Sequence, residues 1–86
     1  MTTLTLLDTI VNLKPIPIQQ LTLLEPEYQS IQQLPSGQVG TIVEIYEGES
    51  PRYLVEFADL QGREYAMAIV QAHEILAVHY ELGIAS

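Results

Sequence analysis

A chain of 86 residues is a single domain, 1–86, close to the lower limit for independent folding, and it buries roughly 60% of its unfolded surface. Three Lys/Arg stand against eleven Asp/Glu, a net charge of −8, so no basic stripe exists to grip nucleic acid or an anionic membrane. The absence of cysteine excludes disulfides, thiolate metal sites and cysteine nucleophiles. Hydrophobic residues make up 48%, more than a small barrel needs for its core, and the surplus points to self-association. Residues 1–14 lack the basic start of a signal peptide, and no apolar run reaches the ~18 residues of a membrane span; the expected location is the cytoplasm.

In chain order, residues 6–13 (LLDTIVNL) predict a strand with Leu7, Thr9, Val11 and Leu13 on one face. A helix using Leu6, Ile10 and Leu13 competes. The β-branched Thr9, Ile10 and Val11, with Pro15 and Pro17 just after, favour the strand. Residues 14–36 form a long connection holding four of the five prolines. A structureless loop of that length is uncommon in a compact domain, so a short helix is expected within it. Pro26 suits a first helical position, and residues 27–34 (EYQSIQQL) would turn Tyr28, Ile31 and Leu34 toward the barrel.

The second half is easier to read. Residues 39–46 (VGTIVEIY) are rich in strand formers, and a turn follows at Gly48 to Pro51. Residues 53–57 alternate: Tyr53, Val55 and Phe57 on one face, Leu54 and Glu56 on the other. Residues 59–62 (DLQG) predict a hairpin connection. Residues 64–70 alternate again, with Tyr65, Met67 and Ile69 assigned to the core and Ala66 and Ala68 to the opposite face. Residues 70–74 break the pattern and predict a 3₁₀ turn. Residues 75–80 are a last strand, with Leu76, Val78 and Tyr80 assigned to the core and Ile75, Ala77 and His79 opposite.

This order predicts an all-β fold, a small five-stranded SH3-like barrel whose long first loop (18–34) holds a short helix. Particular segments sharpen it: Leu7-Asp8-Thr9-Ile10-Val11, then residues 37–43 (GQVGTIV), then Tyr53 with residues 54–57 (LVEF), then Glu64-Tyr65-Ala66. In these the chain resembles a family of short bacterial proteins known as domain of unknown function 4926, over most of residues 7–78. The loop 18–34 looks longer than is usual there. The resemblance implies a fold and no activity. The Gly-x-x-Gly-Thr-Ile-Val element also looks like one in KOW-type ribosomal and transcription domains. Those are basic where they meet RNA and this chain is acidic, so the RNA role does not carry over.

Gly37 and Gly40 are no phosphate cradle, since a β-branched strand follows them in place of Lys and a helix; Gly40 is expected to permit a bend or bulge. His73 and His79, with Glu74 and Glu81 nearby, are the one set of zinc-ligand types, but a 3₁₀ turn and a strand face separate the histidines. Ser30, Ser36, Ser50 and Ser86 have no marked base, and Glu44, Glu47, Glu49 and Glu56 fall on strand exteriors and a hairpin. The reading is therefore no catalytic residue, no metal, no cofactor and no enzyme. Of five tyrosines, Tyr53 and Tyr65 are expected in the core, with Tyr46 and Tyr80 more exposed, and the Ala-Leu-Tyr-Asp-Tyr motif of proline-binding SH3 domains is absent.

The expected function is a non-catalytic protein-interaction module whose partner is another protein or a second copy. Its expected surface is Ile42, Glu44, Tyr46, Ile75 and His79, with Ala66 and Ala68. Two alternatives stand beside it: an immunity- or antitoxin-like partner of a neighbouring gene's product, suited by small size and acidity, and a small-molecule or metal-binding regulatory module. No nucleic acid and no membrane is expected.

Overall fold

The computed structural model describes residues 4–28 and 30–78. Among these, the strands in chain order are β1 (Thr9–Asn12), β2 (Ile16–Pro17), β3 (Leu21–Leu23), β4 (Gln33–Leu34), β5 (Val39–Tyr46), β6 (Arg52–Ala58), β7 (Glu64–Gln71) and β8 (Ile75–Ala77). Three short 3₁₀ turns, Ile18–Gln20, Pro26–Tyr28 and Ala72–Glu74, join them. The main sheet is antiparallel with order β3-β7-β6-β5-β1-β8, and β2 pairs with β4 in a separate ribbon. The fold is all-β. The first long strand lies beside the last, and a 3₁₀ turn precedes the last, as the SH3-like reading requires. The long loop adds β3 as a sixth strand to the five expected. Among the described residues β3 and β8 do not pair with each other, so the sheet is not closed.

Alternation decides which side of each strand is buried. From β6, Tyr53, Val55 and Phe57 point inward, as expected. From β5, Ile42 is fully buried opposite Val55. A register shift between Ile42 and Glu44 then re-phases the strand, so Ile45 meets Tyr53 on the inside while Glu44 meets Leu54 on the outside. The ribbon contributes Ile16 and Leu34, and β1 contributes Ile10. Each fully buried large side chain here, Phe57, Ile10, Leu34, Ile42 and Val55, is worth about 1.5–3 kcal/mol relative to exposure.

At Gly40, β5 lies close against β6. A Cβ there would lie 2.5 Å from Val55 Cγ1 and 3.0 Å from both the Glu56 carbonyl oxygen and Phe57 Cδ1. Close approach, rather than a bulge at the glycine itself, explains the residue. The 59–62 hairpin forms as predicted. Gly62 takes φ +82°, a left-handed conformation that glycine adopts freely, and its N–H donates to the Asp59 carbonyl at 2.9 Å.

Asn12 is the buried polar residue of the core, 2% exposed. Its Nδ2 donates to the carbonyls of Lys14 (2.8 Å) and Pro35 (2.9 Å), and its Oδ1 accepts from the Gln38 N–H (2.8 Å). One side chain thus ties together the two ends of the long loop.

Several expectations are corrected. The helix over 27–34 does not form: a 3₁₀ turn ends at Tyr28, and β4 is extended. The chain must return to pair Gln33 and Leu34 with β2, and Ile18 N–H donates to the Gln32 carbonyl at 3.0 Å. Pairing wins over local helix propensity. In β7 Tyr65 is buried as expected, but beyond it the phase is reversed: Ala66, Ala68 and Val70 are inside, Met67 is half-buried on the outer face and Ile69 is half exposed. The small alanines fit beside Phe57 and Val55, their register partners. In β8, Ile75 is inside and Leu76 is exposed. In β1 the buried side is Ile10 and Asn12, leaving Leu7 and Leu13 exposed. The 3₁₀ turn before the last strand forms over Ala72–Glu74, and Gln71 N–H donates to Glu74 Oε1 at 2.7 Å within its capping box.

Candidate interaction surface

The outer face of β5, β6 and β7 follows from these registers as a grid of cross-strand neighbours. One row is Tyr46, Arg52 and Gln71; the next is Glu44, Leu54 and Ile69; the third is Thr41, Glu56 and Met67, with Thr22 of β3 beyond. Leu54, Met67 and Ile69 are its apolar centre, with Ile69 50% exposed. A groove of about 540 Å³ runs over them between Gln20 and Thr22 on one side and Arg52, His73 and Glu74 on the other. An apolar centre with a polar, charged rim is the anatomy of a protein interface.

A second groove of about 560 Å³ lies beyond Glu56, bounded by Val39, Thr41, Asp59 and a pair of tyrosines. Tyr28, carried by the long loop, stacks on Tyr65 with ring centroids 4.6 Å apart and planes at 26°. Its hydroxyl donates to Asp59 Oδ2 at 3.4 Å. Arg63 bridges this corner, donating from Nη2 to Glu27 and from Nε to Asp59 Oδ2 at 3.3 Å. Asp59 also accepts from the backbone N–H groups of Gln61 (2.9 Å) and Arg63 (3.0 Å).

These contacts move the titrations. The Arg63 backbone N–H, with further N–H donors, holds the Asp59 carboxyl below the usual carboxylate value. Loss of water and the nearby Asp59 and Glu27 charges raise Tyr28, and burial raises Tyr65. Arg63 is held charged more firmly by its hydrogen bond to Glu27. At the outer edge of β5, the Tyr46 hydroxyl donates to Glu44 Oε2 at 3.1 Å, which raises the Tyr46 pKa.

Of the residues expected at the surface, Glu44 and Tyr46 lie on this outer face, and both are exposed. Ile42 and Ile75 do not: they are 0% and 5% exposed and belong to the core, because β5 shifts phase only after Ile42 and β8 turns its odd-numbered residues inward. Ala66 and Ala68 are buried for the reason given above. His79 lies outside the described residues, as does Tyr80. The sequence places Leu54 and Glu56 on the outward face, but it assigns Met67 and Ile69 to the core, which the structure corrects, and leaves Arg52 and Gln71 unassigned. The signal was available in the two-residue spacing of Arg52, Leu54 and Glu56.

Among the described residues no group of three His, Asp or Glu side chains is placed to hold a metal ion. Among them, too, no helix is long and apolar enough to cross a membrane.

The fold and this face define a small all-β domain of SH3-like topology with a patterned outer sheet surface. Residues 6–77, most of the chain, match the family described as Domain of unknown function (DUF4926), and the chain belongs to that family. No curated protein and no solved structure matches it.

Proposed function

We propose that the chain is a non-catalytic protein-interaction module that binds through the outer face of β5, β6 and β7. The observation that carries this is the solvent-facing apolar centre, Leu54, Met67 and Ile69, enclosed by Arg52, Glu44, Glu56 and Gln71. Apolar side chains on an outer sheet face contribute little to folding of the single chain. They gain free energy when a partner removes them from water, about 25 cal/mol per Å². The acidity of the chain disfavours nucleic acid as that partner.

The test is a pair of substitutions, Leu54→Thr and Ile69→Thr, both compatible with a strand. Complexes of the full chain in extracts of its own cells should vanish on native electrophoresis while the melting temperature stays close to that of the unaltered chain. Complexes that persist in the double variant would remove this face from the account.

A further inference from the structure

Along β6 the outward residues are Arg52, Leu54 and Glu56, a cation and an anion placed symmetrically about a leucine. Adjacent outward positions are about 6.6 Å apart, so both charges stand equally far from Leu54. Among the described residues the intrachain ion pairs are those of Arg63 with Glu27 and Asp59, which leaves Arg52 facing outward without one. A pattern of plus, apolar, minus is its own complement when reversed.

We infer that the occupant of this face is a second copy of the chain, related by a two-fold axis that lies in the interface, runs level with Leu54 and between the two copies of it, and crosses the direction of β6 at a right angle. This rests on the interaction reading above. That axis lays β6 antiparallel over β6 of the other copy. Leu54 meets its equivalent, Arg52 meets Glu56 of the partner subunit, and Glu56 meets Arg52 of the partner subunit. Such an isologous contact closes at two copies. Ile69, the register partner of Leu54, stays level with the axis and meets its equivalent, consistent with face-to-face sheets aligned within about 30°.

The same geometry carries a cost and a size limit. Glu44 is also a register partner of Leu54, so it faces Glu44 of the partner subunit at the rim, acid against acid. Three strands about 4.8 Å apart and seven or eight residues long give a face on the order of 350 Å². That is short of the roughly 800 Å² per partner of a standard interface. With a charge of −8 on each copy, the dimer is therefore a weak one whose population depends on concentration.

The experiment is sedimentation velocity of the full chain over a wide concentration range. The unaltered chain should shift from monomer to dimer. Arg52→Glu and Glu56→Arg should each abolish the dimer, and the chain carrying both should recover it, because the pair is restored with reversed sign. All three should melt close to the unaltered chain. Glu44→Gln, which removes the repulsion, should increase the dimer fraction severalfold. An unaltered chain that remains monomeric throughout, or a double variant no better than the single ones, overturns the two-fold arrangement, as does a Glu44→Gln chain that dimerises no better. A monomer whose outer face still cross-links a different protein in cells sinks the second-copy assignment alone. A monomer with no adduct sinks the interaction reading as well.

Discussion

Replacing Asn12 with Asp changes one atom type and leaves the shape alone. The carboxylate can still accept the Gln38 N–H, but it cannot donate to the carbonyls of Lys14 and Pro35, 2.8 and 2.9 Å away. Two partly buried acceptors lose their donor, at up to about 1–3 kcal/mol each, and a buried negative charge is set against their oxygens. The loss is roughly 2–6 kcal/mol. A domain of 86 residues has a total stability of roughly 4–13 kcal/mol at about 0.05–0.15 kcal/mol per residue. With a urea m-value of about 1 kcal/mol per M, the midpoint should fall by about 2 M or more at neutral pH. The pH dependence gives a second check. Burial disfavours the charged form, so the introduced carboxyl has a folded pKa above its unfolded value of about 3.9. The deficit should be smallest below the unfolded value and should grow as pH rises through the folded one. A midpoint within about 0.5 M of the unaltered chain at neutral pH, or a deficit that widens on acidification, would refute the view that Asn12 clamps the loop.

Other outcomes follow from the same structure. Gly40→Ala drives a methyl into Val55, Phe57 and the Glu56 carbonyl, so it should cost about 1–3 kcal/mol and lower the melting temperature by about 4–8 °C for each kcal/mol; an unchanged melt would contradict the close approach. Asp59 is held below its unfolded value, so its contribution is present above about pH 4 and disappears as pH falls through the folded pKa. Stability curves of the unaltered chain and Asp59→Asn should converge on acidification, whereas parallel curves would speak against this carboxylate network. Tyr28, Tyr46 and Tyr65 are raised above the ordinary value of 10.0. Each favours the folded state below that value and stops doing so as pH climbs through its folded pKa, so phenolate absorbance should appear at higher pH in the folded chain than in urea. The reverse order would contradict the placement of these rings.

Period-two alternation made the central hairpins legible: β5 and β6 run where the β-branched and aromatic residues predicted, and the turn at Asp59 to Gly62 lies where expected. The phase of β7 beyond Tyr65 was not legible, because Met67 and Ile69 are as apolar as Ala66, Ala68 and Val70. Tertiary packing turned the alanines inward beside Val55 and Phe57, their register partners. Ile42 misled for a related reason. A one-residue bulge flips the outward set of β5, and nothing in the run VGTIVEIY marks where it falls. The helix was misread because Pro26 and the residues after it suit a helix locally, while the partners of Gln33 and Leu34 lie far back in the chain at Ile16 and Pro17. Asn12 escaped notice because its partners come from both ends of a long loop. Of the surface, Glu44 and Tyr46 were legible as outward positions, but the Arg52, Leu54, Glu56 pattern gains meaning only once Met67 and Ile69 are known to lie beside it.

The central claim, that this outer face is covered by a protein, is tested most directly by a photo-activated cross-linking residue placed at position 69 and, as a control, at the exposed position 19 of the long loop, with the chain in its own cells. The account predicts one discrete protein adduct from position 69 and none from position 19. Adducts of equal yield from both positions, or none from position 69, would contradict it.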